Sequence, residues 1–266
     1  MTPSELIINF VIGIVTGLAT GAFFAARTKP GDLSIDDFVF RNYAWRHHAT
    51  LTINVRYEPV KSSPSDSTET EIAGILVLAF LALAISTAIL ANYQQQVLSF
   101  GWLLISFFGA SVASFIFLSF LRDRIVSWFG LWSLICILGI TFNFWIFSLS
   151  LSNPVYASYL QDVRNNGVFE AISRMNDVGF LPLYQLIGLV FLCIVAGMAF
   201  VQSFFVLLWP LILRNRIILF LFRWTGIFVN KWSMFSQAVL LFVAYSFLSG
   251  KILQWFDRYV SWIKSL

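Results

Sequence analysis

Apolar and polar residues fall here in long blocks, and the apolar blocks have the length of a bilayer. About 20 apolar residues at 1.5 Å each carry a helix across the hydrocarbon core. Leu6–Ala26 meets that length and stops at Arg27 and Lys29. Ile72–Ala91 carries no charge, Asn92–Gln96 leaves room only for a tight turn, and Val97–Leu121 returns the chain to Arg122, Asp123 and Arg124. Ile125–Leu151 is the fourth such stretch, and Phe180–Leu213, the fifth, ends at Arg214, Asn215 and Arg216. Trp232–Gly250 is just long enough for a sixth, with a re-entrant dip as the alternative. Between the last two, 217–231 is cut by Arg223 and Lys231 and reads as an elbow in the inner headgroup region.

The polar blocks have patterns of their own. Residues 50–57, "TLTINVRY", alternate strictly, with Leu51, Ile53, Val55 and Tyr57 on one face and Thr50, Thr52, Asn54 and Arg56 on the other. That is the period of a half-buried strand, and Asp37–Trp45 can pair with it through a turn at Arg46–Ala49. A lone hairpin is marginal in water, so its apolar face needs a surface to lie on. Residues 61–71, "KSSPSDSTETE", have the composition of a flexible linker. In 152–179, Val155, Tyr156, Tyr159, Leu160 and Val163 make one helical stripe and Val168, Phe169, Ile172 and Met175 another, separated by "NNG" at 165–167. Glu170 and Arg174 form an i,i+4 pair. In 251–266, Ile252, Trp255, Phe256, Tyr259, Trp262, Ile263 and Leu266 share one face of an amphipathic helix suited to the interface.

These blocks predict an all-α polytopic membrane protein of about six transmembrane helices, with a small cytoplasmic β-hairpin element and a C-terminal interfacial amphipathic helix. The order is a first span in 1–26, the hairpin and linker in 27–71, three spans in 72–151 and a helical outer loop in 152–179. The fifth span, elbow and sixth span or re-entrant segment follow in 180–250, then the interfacial helix in 251–266. Basic residues gather on the cytoplasmic side. With the N-terminus outside, segments 27–71, 122–124 and 214–231 hold 12 of the 17 Lys and Arg residues, while Arg164 and Arg174 alone lie outside before residue 232. This bias and two unpaired cysteines point to a bacterial inner membrane, with the chain multi-pass in the plasma membrane.

Gly13, Gly17 and Gly21 recur every fourth position, and Ala25 continues the row. In lipid, helices gain nothing hydrophobic by associating, so small residues that let backbones touch mark packing faces. Thr16 and Thr20 flank the row, their hydroxyls able to bond back along the helix or across to a partner. The stripe packs either on another helix of this chain or on a second copy, as a homo-oligomer.

Composition fits this picture: 59% of the 266 residues are hydrophobic and 11% charged, with mean hydropathy +0.81, against about a quarter charged in soluble domains. The net charge of +4 serves topology, and no nucleic-acid partner is expected. The start of the chain lacks a basic n-region and a small-residue cleavage site, so its first apolar stretch reads as a retained helix. Cys136 and Cys193 read as small buried hydrophobes.

Chemistry is sparse. Residues 72–121, 125–161, 178–213 and 232–250 contain no Asp, Glu, Lys, Arg or His, whereas proton relays and ion-coupled transport call for ionisable groups at depth. Ser106, Ser111, Ser114 and Ser133 have no histidine to activate them. His47 and His48, with Asp36 and Asp37 nearby, match no metal spacing. No enzyme, catalytic residue, metal site or cofactor is expected. Asn143, Gln202 and Gln237 are the polar groups at depth, read as interhelical glue or as the lining of a polar path.

Three functions fit. The first is an oligomeric scaffold or sensor subunit that presents its cytoplasmic hairpin (Leu51, Ile53, Val55, Tyr57) to a cytosolic protein partner. The second is a channel or pore-forming subunit, which needs no buried charge. The third is a transporter or lipid-handling protein, in which Pro182, Gly188, Gly197 and Pro210 break the fifth span to form a site.

Overall fold

In hydrocarbon a peptide group finds no water, so a crossing segment closes its own hydrogen bonds as a helix. The computed structural model describes residues 3–27, 67–121, 128–173, 180–212, 228–229, 231–252 and 255. Among them the ordered elements are helices: α1 (Pro3–Arg27), α2 (Ser67–Leu121), α3 (Trp128–Ser150), α4 (Pro154–Asn166), α5 (Val168–Ser173), α6 (Phe180–Ile212) and α7 (Lys231–Leu248). Four contain stretches long and apolar enough to cross a membrane: Ile7–Ala26, Leu83–Leu121, Trp128–Ser150 and Pro182–Leu208. Trp232–Leu248 is a shorter apolar helix. The described residues are all-α, and the chain is a multi-pass membrane protein. The expected hairpin with Leu51, Ile53, Val55 and Tyr57, most of the 217–231 elbow and most of the C-terminal amphipathic helix lie outside the described residues.

α2, where two spans and a tight turn are expected, is two helices joined at a kink: within its 55 residues Tyr93, at φ −126° and ψ 29°, departs from helical geometry. The departure falls inside the expected turn, Asn92–Gln96, and divides α2 into an arm of residues 67–92 and an arm of 94–121. Asn92 Nδ2 bonds back to the Ala88 carbonyl at 2.9 Å. A break in the ladder deprives carbonyls of the preceding turn of amide donors, and Arg164 of α4 reaches the Ala91 carbonyl with both Nε (3.2 Å) and Nη2.

Helix directions follow from matched contacts. Gly13 lies against Leu103 and Ser106, Gly17 against Phe107 and Ala110, and Gly21 against Ser111 and Ser114. Both number series rise together, so α1 runs parallel to the second arm of α2. Gly101 meets Phe144 and Gly109 meets Ile137, so α3 returns antiparallel. Phe108 of α2 stacks on Phe200 of α6 at 4.5 Å, and Ile116 and Val206 both meet Gly130, which sets α6 parallel to that arm. Gly188 receives Phe247 and Leu248, and Gln202 further along α6 bonds Ser233 near the start of α7, so α7 comes back antiparallel to α6. α6 is one unbroken helix from Phe180 to Ile212, with its two prolines in the first and last turns; the broken span imagined for a transporter is not what these residues form.

The bundle is apolar outside and partly polar inside, as lipid allows. Trp128 is 75% exposed and Phe120 67%, while Ser111, Ser133, Gln202, Ser203 and Gln237 are fully buried. The larger core runs from Leu90 and Ile105 through Ile140 and Phe147 to Leu186 and Leu248. A smaller one joins Ala25, Phe115, Phe129, Phe205 and Val229 at the opposite end.

The 152–173 segment caps one end of the bundle. Asn153 Oδ1 accepts the Val155 amide at 3.0 Å, its carbonyl accepts those of Tyr156 and Ala157, and Pro154, which has no N–H, opens α4, so the first-turn amides all have acceptors. Tyr156, Tyr159, Leu160 and Val163 of the expected stripe are buried against the main core. Gly167, at φ 89°, separates α4 from α5, in the left-handed region that favours glycine.

Glycine positions differ sharply in what surrounds them. A Cβ on Gly17 would strike the Phe107 carbonyl and come within 2.8 Å of the Ala110 Cβ, whereas one on Gly197 would meet nothing within 4 Å. Gly17→Leu is expected to cost about 2 kcal/mol or more, read as a lowered unfolding temperature in detergent. Gly197→Ala should leave stability unchanged or raise it by up to about 1 kcal/mol.

Candidate functional site

The side chains at depth that carry polarity are amides, indoles, hydroxyls and thiols, and the structure gathers the strongest of them where α3, α6 and α7 meet. Gln237, fully buried on α7, accepts from Trp132 Nε1 at 3.0 Å and from the Cys136 thiol at 3.4 Å through its Oε1. Gln202, equally buried on α6, donates through Nε2 to the Phe228 carbonyl at 2.9 Å and to Ser233 Oγ at 3.3 Å. Ser233 also donates to the Phe228 carbonyl at 2.8 Å. Ser233 and Gln237 are four residues apart on α7, hence neighbours on one face. The seam thus ties three helices with two amides and no charge.

Asn143, the third amide read from the sequence, is not part of this seam. It sits seven residues beyond Cys136 on α3, bonds its Nδ2 to the Gly139 carbonyl of its own helix at 2.9 Å, and leaves Oδ1 without a partner. Sequence reasoning missed Trp132, Cys136 and Ser233 as partners of the glutamines. Cys136 follows Trp132 by four positions, and Gln237 follows Ser233 by four, a signal that only a known α3–α7 register turns into contacts. Gln185, also missed, ties the other end of α6 to α7 by donating to the Leu248 carbonyl at 3.2 Å.

The small-residue row occupies a different face. Gly13, Gly17, Gly21 and Ala25 all lie against the rest of the chain, with Ala25 1% exposed. Thr16 donates to the Ile12 carbonyl at 2.6 Å and Thr20 to that of Thr16 at 2.8 Å, so both hydroxyls serve their own helix. The bond that crosses comes from the facing side, Ser114 Oγ to the Leu18 carbonyl at 3.1 Å. Its signal was legible: Ser106, Ala110 and Ser114 form a second small row at the same four-residue spacing.

In α4, Tyr156 and Tyr159 turn their hydroxyls into the protein. Burial pushes the Tyr156 hydroxyl well above its ordinary value of 10.0, and neighbouring Tyr159 adds to the rise. Tyr159 is raised by burial as well. The Tyr156 hydroxyl has no hydrogen-bond partner. Both phenols therefore remain neutral at physiological pH. Among the described residues no three His, Cys, Asp or Glu side chains cluster to hold a metal ion. What the arrangement offers is neutral hydrogen bonding among buried side chains.

No known family model, curated protein or solved structure matches this chain.

Because the folded phenols ionise later than unfolded ones, their contribution to stability is intact below about pH 10 and is lost as pH climbs above it. Tyr156→Phe should flatten part of that alkaline fall in unfolding temperature. At pH 7 the same substitution, which removes an unpartnered hydroxyl, should change stability by less than about 1 kcal/mol. Arg164→Ala, by contrast, should loosen the outer segment at neutral pH, seen as faster amide hydrogen exchange across residues 154–173 and around Tyr93.

Proposed function

We propose that the chain crosses the membrane six times, with the N-terminus outside and the 27–71 segment in the cytoplasm of a bacterial cell. The parallel packing of α1 on the second arm of α2 supports this by parity. Two helices that cross in the same direction require an odd number of crossings between them. Ile72–Ala91 is the stretch between them with the length and apolarity for one. The antiparallel return of α3, the direction of α6 and the return of α7 then complete six crossings. The charge bias fits the same orientation.

Within that topology the reading best supported is an oligomeric membrane scaffold or sensor subunit, not an enzyme, that presents its cytoplasmic segment to a protein partner. The observation that carries it is the clamp between α1 and α2. The glycine row locks α1 to the bundle, so the segment that follows Arg27 leaves from a helix held in place. The remainder of α1 exposes Ile8, Val11, Ile12, Val15 and Leu18 at 47–60%, an apolar face that suits lipid or a second copy. Strand addition through Leu51, Ile53, Val55 and Tyr57 is the proposed docking mode.

A channel subunit is the second reading, favoured by the buried uncharged amides of the α3–α6–α7 seam. Solute flux into liposomes containing the purified protein would support it and count against the scaffold.

Ile53→Asp combined with Val55→Asp should abolish co-purification of a cytosolic partner and leave the thermal unfolding of the bundle unchanged. Retention of the same partner by this variant would remove the docking mode. Native mass measurement in nanodiscs should give more than one copy, and a monomer would remove the oligomer.

A further inference from the structure

The surface indoles and phenols of α3 and α7 gather at two levels. The two helices run side by side in a register set by three contacts: Trp132 with Gln237, Gly139 with Leu241, and Phe142 stacked on Tyr245 at 6.0 Å. About one turn before the first contact, exposed Trp128 and exposed Trp232 stand level with each other. Just beyond the last, exposed Trp145 follows on α3. There the chain after α7 turns back at Gly250, at φ 70°. Lys251 comes to lie over the Tyr245 ring at 4.8 Å, and Trp255 stacks on Phe242 at 6.5 Å. Indoles, phenols and a lysine on its long stem favour the boundary between hydrocarbon and water. Between the levels the exposed surface is apolar, as at Ile135, Leu138, Phe235 and Val239.

The neighbouring helices keep the same two levels. Gly101 of α2 meets Phe144, so exposed Phe100 stands level with Trp145, and exposed Gln95 and Gln96 follow one turn further out. Ile116 meets Gly130, close to Trp128, and Arg122 comes within two turns of it. Through the contacts of Gly13 with Ser106 and Gly21 with Ser114, the levels reach α1 near Ile7 and Phe24, inside its charged positions Glu5 and Arg27.

We infer that this bundle is matched to a thin bilayer, with hydrocarbon about 25 Å deep between the Trp128–Trp232 level and the Trp145–Tyr245 level. Trp128 and Trp145 are 17 residues apart, about 25 Å along a helix. The apolar helix Trp232–Leu248 is about 25 Å long as well. A typical core of about 30 Å would draw one of the aromatic levels into acyl chains. The match concerns lipid alone and holds under either functional reading.

The test reconstitutes the full-length protein in phosphatidylcholines of rising chain length, from dimyristoleoyl through dipalmitoleoyl, dioleoyl and dieicosenoyl to dierucoyl. The unfolding temperature should be highest among the lipids up to dioleoyl and lower by about 2–6 °C in dierucoyl. A flat response, or a maximum in dieicosenoyl or dierucoyl, overturns the match. Spin labels on single cysteines, in a chain carrying Cys136→Ser and Cys193→Ala, check the boundaries separately through collisions with oxygen and a nickel chelate. Labels at Ile135 and Leu138, which flank the midpoint of Trp128 and Trp145, should be equally deep, and one at Leu149 should lie among the headgroups. A label at Phe142 deeper than either of the first two refutes the placement.

Discussion

Close backbone contact between helices, permitted by small side chains, is the constraint on which this bundle rests. Apolar helices in lipid gain no hydrophobic free energy by meeting, so what holds them is dispersion, weak Cα–H···O contact and the few hydrogen bonds that cross. The row Gly13–Gly17–Gly21–Ala25 and the facing Ser106, Ala110 and Ser114 bring α1 and α2 to backbone distance. Elsewhere glycine works as a socket: Gly101 receives the Phe144 ring and Gly188 receives Phe247 and Leu248. Gly74 and Gly197, which face nothing within 4 Å, show that the residue type alone does not make a contact.

Polar groups divide between those that serve their own helix and those that join two. Ser133, Thr141, Ser203 and Ser246 each donate to a carbonyl four residues back, which satisfies the hydroxyl and ties nothing together. The bonds that cross concentrate on α7. Gln185 holds its last turn, Trp132 and Cys136 hold Gln237, and Gln202 holds Ser233 and the preceding Phe228. α7 is the shortest of the long apolar helices, at 18 residues, and has less side-chain contact to offer. Directed hydrogen bonds make up for area there, and they fix its register against α3 and α6.

The α4 cap solves a related difficulty. α2 leaves helical geometry at Tyr93, next to the buried Leu90 and Ala91. Arg164 brings a guanidinium to the Ala91 carbonyl from α4, and the buried stripe of α4 keeps that arginine in place. The cap and the break are therefore one unit.

Length and apolarity of the blocks determined the membrane class, the approximate helix limits and the break of the outer segment at Gly167, because each depends on local solvent and backbone preference. The four-residue spacing likewise marked one face of α1 as a contact surface. Which surface it meets is a different matter. An α1 stripe fits a second copy as well as it fits α2, and only the tertiary structure, by setting it against Ser106, Ala110 and Ser114, selects the latter. The same holds for the amides: Asn143, Gln202 and Gln237 look equivalent along the chain, yet Gln237 ties α7 to α3, Gln202 ties α6 to α7, and Asn143 turns back on its own helix. Register between helices distant in sequence has no local signature in lipid, since every helix presents a similar apolar surface and the choice among partners rests on shape.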